Sequence, residues 1–475
     1  MSGAGNELLV TSAYTEKQLQ ARFGKPAYSY RVVKLAFNSL LRRWAPSTDI
    51  DDPAGQLSAA VKRAQSQGRE AIHLSFLPLQ DHLDCPEAVN VAVPAWEFPD
   101  LPAEALGGNP RENWVRQCEK LDLVITHTQF SRNAFLKAGV QTPVHVVPVP
   151  VNPAFFEIPR WRPGQKVTLA VPCHIFCPGF TQSARAIEPA PPVVKSLAKR
   201  AFASVKRWFP ERLTHSMQRL KHAIHVGRTA YKQFPTRITF NEEPRLDLEG
   251  IVYTSVFNPA DNRKNWEDML SAYLYALADR PDATLVFKIT TNKQDAAFWL
   301  RQVADRYLHF RIPHVCKVAF VTAYLSETQM ADLVRGSTFY MNSSRAEGSC
   351  LPLQDFLSAG RPAIAPPNTG MADSLDTDSS FLVESSVEPS CWPHDPEQRL
   401  LTTWHRINWE SLREQIRLSY RLAKDEPTRI TRMGALARAK MQALVGPEAV
   451  WPLLKLALDE AVVRSRSRTP VRIAA

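Results

Sequence analysis

The residues best suited to chemistry lie in two stretches of the second half of the chain, NPADNRKNW (Asn258 to Trp266) and SSRAEGSCLPLQDFLSAGRPAIAP (Ser343 to Pro366). In the first, Arg263 and Lys264 stand between an apolar run and a helical one, where a helix N-terminus adds roughly half a positive charge. Two cations and that dipole suit a diphosphate leaving group. In the second, Glu347 ends another apolar run and can accept hydrogen bonds from two vicinal hydroxyls, while Gly348 lets backbone N–H groups come close. Asp355 follows within the first turns of the next helix, where a carboxylate could hold a ribose. Plainer explanations exist for each residue: a solvated helix cap for Lys264, and for Asp355 an N-terminal acid worth about 0.3 to 1 kcal/mol to its helix. Their joint placement at the ends of two strands in one series looks more like a sugar-nucleotide site than a core.

Positioning such residues requires parallel sheets. Short β-branched runs at Ala71 to Leu77, Val89 to Ala95, Asp122 to Thr128 and Val144 to Val151 read as buried parallel strands. Between the last two, Ser131 reads as an N-cap and Gly139 as a stop, which makes a βαβ unit. The pattern restarts with strands at Ile251 to Phe257, Thr284 to Thr290, Val318 to Leu325 and Thr338 to Ser344. Helices lie between them, one at Ala296 to Tyr307 and one opened by a Ser326/Gln329 capping box. Two such series imply an α/β chain with two Rossmann-like domains facing a central cleft, where ligands bind at the carboxyl ends of strands.

Arg263-Lys264-Asn265, then Glu347-Gly-Ser-Cys-Leu-Pro-Leu-Gln-Asp355, then Ser358-Ala-Gly-Arg-Pro362 resemble the signature of the GT-B-fold retaining glycosyltransferases with the E-x7-E pattern, which include bacterial envelope mannosyl- and glucosyltransferases. The resemblance covers the C-terminal domain and extends more weakly to Trp96 through Val151. It implies a GT-B fold and hexosyl transfer, with retention, from a nucleotide-diphosphate donor to a glycan or lipid-linked glycan acceptor in polysaccharide or cell-envelope biosynthesis. Arg263 and Lys264 would bind the donor diphosphate and Glu347 the donor sugar. Gly348, Ser349, Cys350 and Leu351 would lie along the donor, with the N–H groups of Gly348 to Cys350 near the phosphates, and Asp355 would bind the ribose. No cofactor and no metal is implied. The chain departs from the family in having aspartate at 355 where the pattern has glutamate, and in lacking a recognisable glycine-rich first loop, for which Gly24-Lys25-Pro26 is a loose substitute. Those departures motivate a competing reading, a GT-B scaffold that binds nucleotide or glycan without turnover. A Rossmann oxidoreductase is disfavoured because no GxGxxG follows a strand.

Acceptor-side candidates are His73, His127, Trp96 and Glu97, with His82 also near a strand end. A lone histidine there is more often a satisfied structural residue, and Trp96 is as readily core as a platform for a sugar ring. A base-contacting loop is expected near Thr322 to Leu325.

The 475 residues are too many for one ordinary core, and 44% hydrophobic with 22% charged residues is a globular composition. The units expected are an acceptor-side domain at 1–158, a linker and basic helical insert at 159–250, a donor domain at 251–446, a helix crossing back at 447–463 and a disordered basic tail at 464–475. Of the net charge of +11, most is concentrated in the insert: ten Lys or Arg stand against Glu211 alone from Pro191 to Pro235. Its two amphipathic helical segments suit an anionic membrane surface, or equally a hairpin packed on the protein with a solvated basic face. Nucleic acid is not expected, since no binding motif accompanies the charge. Seven scattered cysteines suit a reducing compartment, and the Cys173/Cys177 pair lacks the second pair a zinc site needs. With no apolar run of roughly 20 residues and no leader pattern, the expectation is a cytoplasmic protein, with peripheral contact to the inner face of the plasma membrane through the insert.

Overall fold

The computed structural model describes residues 5–25, 27–105, 108–176, 242–310, 312–393, 395 and 398–472. The chain opens with β1 (Asn6–Ser12), α1 (Glu16–Arg22), α2 (Tyr28–Trp44), β2 (Ser47–Asp49), α3 (Pro53–Ser66), β3 (Glu70–Phe76), β4 (Val89–Ala92), α4 (Trp114–Cys118), β5 (Leu123–Thr126), α5 (Gln129–Lys137), β6 (Val144–Val146) and α6 (Pro153–Phe156). The six strands form one parallel sheet in the order β2-β1-β3-β4-β5-β6. Strand β1 was not anticipated. Its Leu8-Leu9-Val10 run is too short to stand out, yet it pairs along its whole length with β3. Another difference concerns α5: Thr128, not Ser131, caps it, its side chain accepting from the Ser131 N–H, and Gly139 follows the helix end at φ 82°.

The second series runs β7 (Lys166–Leu169), β8 (Cys173–Phe176), β9 (Glu242–Glu243), β10 (Leu246–Glu249), β11 (Ile251–Phe257), α7 (Trp266–Leu277), β12 (Ala283–Ile289), α8 (Ala296–Phe310), β13 (Lys317–Val321), α9 (Glu327–Gly336), β14 (Phe339–Met341), α10 (Leu351–Ser358), β15 (Ala363–Ala365) and β16 (Ser380–Leu382). Its sheet has the order β16-β15-β14-β11-β12-β13-β8-β9, parallel from β16 to β13, with β8 and β9 added antiparallel at one edge. Stretches at both ends of the expected linker therefore contribute strands, β7 pairing with β10 and β8 extending the main sheet. The expected capping box on α9 is present. The basic amphipathic segments and Cys177 lie outside the described residues.

A hairpin, β17 (Ser385–Cys391) with β18 (Leu401–Ile407), precedes three helices: α11 (Trp409–Asp425), α12 (Pro427–Val445) and α13 (Pro447–Arg472). Helix α13 crosses back onto the first sheet. Val450, Leu454, Ala457, Leu458 and Ala461 recur at helical spacing and join Leu8, Ile72, Val91 and Phe37 in one core. Burying each of its larger side chains is worth about 1.5–3 kcal/mol. The tail expected to be disordered from 464 is, as far as Arg472, the end of this helix, and Arg466 reaches Glu70 at 2.7 Å. Among the described residues no helix is long and apolar enough to cross a membrane.

In both sheets the chain leaves the first strand in one direction and later returns to its other side. The switch points fall between β1 and β3 and between β11 and β14. At such a point two successive loops diverge and leave a crevice above the carboxyl ends.

Candidate active site

Arg263 and Lys264 follow β11, and Glu347 follows β14, so the second switch point brings together residues 83 positions apart. Asp261 opens the turn Asn262–Lys264, its carboxylate accepting from the Arg263 N–H, and Asn265 at φ 48° redirects the chain into α7. This geometry aims both cations at the β14 loop. Lys264 Nζ donates to Glu347 Oε1 at 2.6 Å, and Arg263 Nη1 lies 3.7 Å from the other oxygen while donating to the Ala346 carbonyl at 2.6 Å. Arg263 also pairs with Asp261 at 2.6 Å and, from the first half of the chain, with Glu97 at 3.3 Å.

The cluster is buried, with Glu347 5% exposed, so each charge depends on its neighbours. Burial pushes the Glu347 carboxyl up, but Lys264 and Arg263 outweigh it and hold it below the ordinary range. Burial likewise works against the Lys264 ammonium, and Glu347 reverses it, raising the pKa above that of a free lysine. Lys264 and Glu347 are therefore both charged at neutral pH.

Gly348 is a point of close approach between the halves. A Cβ there would stand 2.9 Å from the Trp96 carbonyl oxygen, and the Thr128 hydroxyl donates to the Gly348 carbonyl at 3.0 Å. Gly348→Ala is expected to destabilise the chain by about 1–3 kcal/mol through overpacking against rigid backbone, seen as a lower thermal unfolding midpoint. Ser349 is buried, and its hydroxyl has no hydrogen-bond partner among the described residues. Cys350 takes a left-handed conformation, φ 59°, at the start of α10, and burial pushes its thiol up to about 12. Leu351 begins the helix, whose first N–H groups have no intrahelical acceptor. Asp355, on the next turn of α10, is partly buried, and desolvation pushes its carboxyl up to about 7.

A cleft of about 1980 Å³ is lined by Arg263, Lys264, Glu347 to Leu351 and Asp355 from one half, and by Tyr28, Trp96, Glu97 and His127 from the other. That exceeds the ~300–1,000 Å³ of ordinary ligand pockets and leaves room for two substrates. His127 shares its Nδ1 hydrogen bond with the Val147 carbonyl at 3.0 Å, and burial lowers its pKa to about 4, so the imidazole is neutral. With Nδ1–H as the donor, Nε2 is left as an acceptor. The expected base-contacting loop also lies on this cleft, through Tyr324 and Leu325.

Two candidates are placed otherwise. His73 sits within β3, 0% exposed, against the Thr11 hydroxyl and stacked on His82 at 4.9 Å; it is not among the residues lining the cleft. Trp96 is 2% exposed and its ring packs with Phe98, Trp114 and Trp392, so its clearest contact with the site is the carbonyl facing Gly348. Sequence reasoning missed Asp261, Thr369, whose hydroxyl accepts from the Glu347 N–H at 2.8 Å, and Lys288 in β12. A signal existed for the last: lysine interrupts an apolar run that reads as a strand buried on both faces.

No protein-family model matches the sequence, and no curated protein is significantly similar to it. Among solved structures the chain is similar to HepE of Anabaena in complex with UDP and glucose, at 11% identity and a TM-score of 0.49 over 96% of this chain and 99% of that one. It is similar to sucrose-phosphate synthase from Thermosynechococcus elongatus, at 13% identity and a TM-score of 0.49 over 99% and 100%. A glycosyltransferase from Rickettsia africae gives 8% identity and a TM-score of 0.48 over 96% and 98%. The fold itself is the expected α/β one, two Rossmann-like parallel sheets bordering one cleft. At these identities the likenesses assign no substrate, and the chemistry has to be argued from the chain's own residues.

Proposed function

We propose that this chain is a retaining glycosyltransferase that moves a sugar, a hexose by the resemblance, from a nucleoside-diphosphate donor to a glycan or lipid-linked glycan acceptor. The observation that carries the proposal is the buried Lys264–Glu347 pair at the switch point, beside Arg263 and the start of α10, facing His127 and Glu97 across the cleft. Lys264 and Arg263 would stabilise charge developing on the leaving diphosphate. Glu347, fixed by Lys264 and Thr369, would hold donor-sugar hydroxyls, and Asp355 the ribose. Same-face attack, with the departing phosphate taking the acceptor proton, needs no dedicated base, so positioning and electrostatics supply the catalysis. Polysaccharide or cell-envelope biosynthesis in the cytoplasm, at the inner membrane face if the basic insert meets anionic lipid, is the setting that suits such an acceptor.

The test is release of nucleoside diphosphate from a panel of UDP-, GDP- and ADP-hexoses with short glycan acceptors, followed by NMR of the product's anomeric proton. Turnover of one donor class with retained configuration supports the proposal; inverted product removes the retaining mechanism. A second reading has its own support: aspartate at 355 and three carboxylates around Arg263 and Lys264 suit a scaffold that binds nucleotide without transfer. Binding without turnover of any donor would select it.

Asp355 adds a pH signature. A carboxylate accepts from two ribose hydroxyls, whereas the protonated form gives up part of that capacity, so the Asp355 contribution to nucleotide affinity is expected to rise with pH through about 7. Asp355→Asn should remove that rising contribution, measured by calorimetric titration of both forms at set points from about 1.5 units below to about 1.5 units above that value. The stability contribution has the opposite sign. The folded chain keeps a proton that the unfolded chain releases near pH 4, so this group's favourable contribution is lost as pH rises from about 4 to about 7.

A further inference from the structure

The cations expected to receive the diphosphate are already neutralised. Arg263 and Lys264 face Asp261, Glu97 and Glu347, two positive charges against three negative ones. A diphosphate entering there adds at least two more negative charges to a buried cluster whose formal sum is already −1. Low-dielectric burial makes such an excess costly unless another cation faces it.

Lys288 is that cation. It lies near the carboxyl end of β12, level with Val256 on β11, the strand that leads into the Arg263–Lys264 turn. It is 3% exposed and lines the cleft, and its ammonium donates to the Ile289 carbonyl at 2.9 Å. Among the described residues no carboxylate pairs with it. Burial alone lowers its pKa, to about 7, with no neighbouring acid to oppose the shift. What stands over it is the face of Phe23, 5.3 Å from Nζ to the ring centre, a weak substitute for an anion.

Phe23 comes from the first half of the chain and is held there by contacts with the second. Gly24, at φ 79°, presses so closely on β12's end that a Cβ would fall 2.5 Å from the Thr290 carbonyl oxygen. Asn258 donates to the Gly24 carbonyl at 2.9 Å, Lys25 pairs with Asp295 at 2.5 Å, and Phe23 meets the Tyr324 ring edge-on at 5.0 Å. The segment read as a loose substitute for a glycine-rich loop thus closes over a lysine that no carboxylate among the described residues pairs. Just inside it, the half-buried Tyr28 bonds Thr290 through its hydroxyl and feels the charges of Lys264 and Glu347, so both positive centres border one volume.

We infer that Lys288 is an anion-binding residue of the cleft, taking a phosphoryl oxygen of the bound ligand and supplying the positive charge that the carboxylate-paired Arg263 and Lys264 lack. This rests on the nucleotide reading of the same site, and it adds a contact outside the resemblance's signature. The shared chemistry is a diphosphate, carried by a nucleotide or free in solution.

The experiment is calorimetric titration of the full chain and of Lys288→Met and Lys288→Arg with UDP, GDP, ADP, the three nucleosides and inorganic pyrophosphate. Methionine keeps most of the length of the side chain and removes a buried charge, so folding should survive, and the thermal midpoint checks it. Lys288→Met is expected to weaken nucleoside-diphosphate and pyrophosphate binding by about tenfold to a hundredfold while leaving the nucleoside unchanged. Lys288→Arg should keep part of the affinity. Unchanged diphosphate binding in Lys288→Met overturns the inference, as does an equal loss for nucleoside and diphosphate, which would mark a structural role. A Lys288-dependent pyrophosphate response with no response to any nucleotide would support the anion site and remove the nucleotide reading. Silence of the wild-type chain towards every one of these ligands would remove both.

Discussion

Glu347→Ala is expected to reduce sugar transfer by about a thousandfold or more, the upper end of what removing one preorganised group costs. Three roles end together. The carboxylate no longer meets donor hydroxyls, Lys264 loses its 2.6 Å partner, and Arg263 loses one of its three counter-charges. The loss should fall on kcat, because a lysine free to swing no longer waits where leaving-group charge develops. Stability should fall as well. Breaking a buried pair by removing one partner costs about 3–5 kcal/mol in a dry interior. Here Asp261 remains near both cations and the cleft admits water, so a smaller cost is expected. Glu347→Gln separates the two effects, since it keeps the shape and the Thr369 contact through the backbone. It should recover much of the thermal midpoint and little of the turnover. Full transfer by either variant would sink the assignment of Glu347.

Lys264→Ala is expected to lower turnover by about a hundredfold or more, worth about 3 kcal/mol of transition-state stabilisation. The variant also leaves Glu347 buried with only Arg263, at 3.7 Å, as a direct cation. The Glu347 carboxyl should then titrate higher than in the wild type, because burial raises it and the larger opposing charge is gone. Residual activity in Lys264→Ala should therefore fall at a higher pH than wild-type activity does as the medium is acidified, read from pH profiles of nucleoside diphosphate release. The double variant Lys264→Ala/Glu347→Ala should be little worse than Glu347→Ala alone, since the two side chains act as one unit. Additive losses would mean that they contact the substrate independently.

Parallel strands buried on both faces must be apolar throughout, so Ile251 to Phe257 was legible almost to the residue, as was the Ser326/Gln329 capping box, whose hydrogen bonds are local. The placement of Arg263, Lys264 and Glu347 beyond strand ends was legible for the same reason, since each follows a recognisable strand. Strand β1 was not, because a seven-residue strand with a short apolar centre differs little from a polar terminus until β3 pairs with it. Nor was the fate of His73, since its strand-end position says nothing of whether the cleft or His82 lies beyond it. The last turns of α13 were mistaken for a tail because their anchor, Glu70, lies near the other end of the chain.

What the sequence by itself determined was the set of charges and the strands that carry them, because hydrophobic periodicity and turn chemistry are local properties. Only the tertiary structure decided which charges meet. Glu97 reaches Arg263, Phe23 covers Lys288, and Gly348 rests on Trp96, each across the cleft between two sheets. Such contacts depend on how the halves are docked, and no local pattern along the chain encodes that distance.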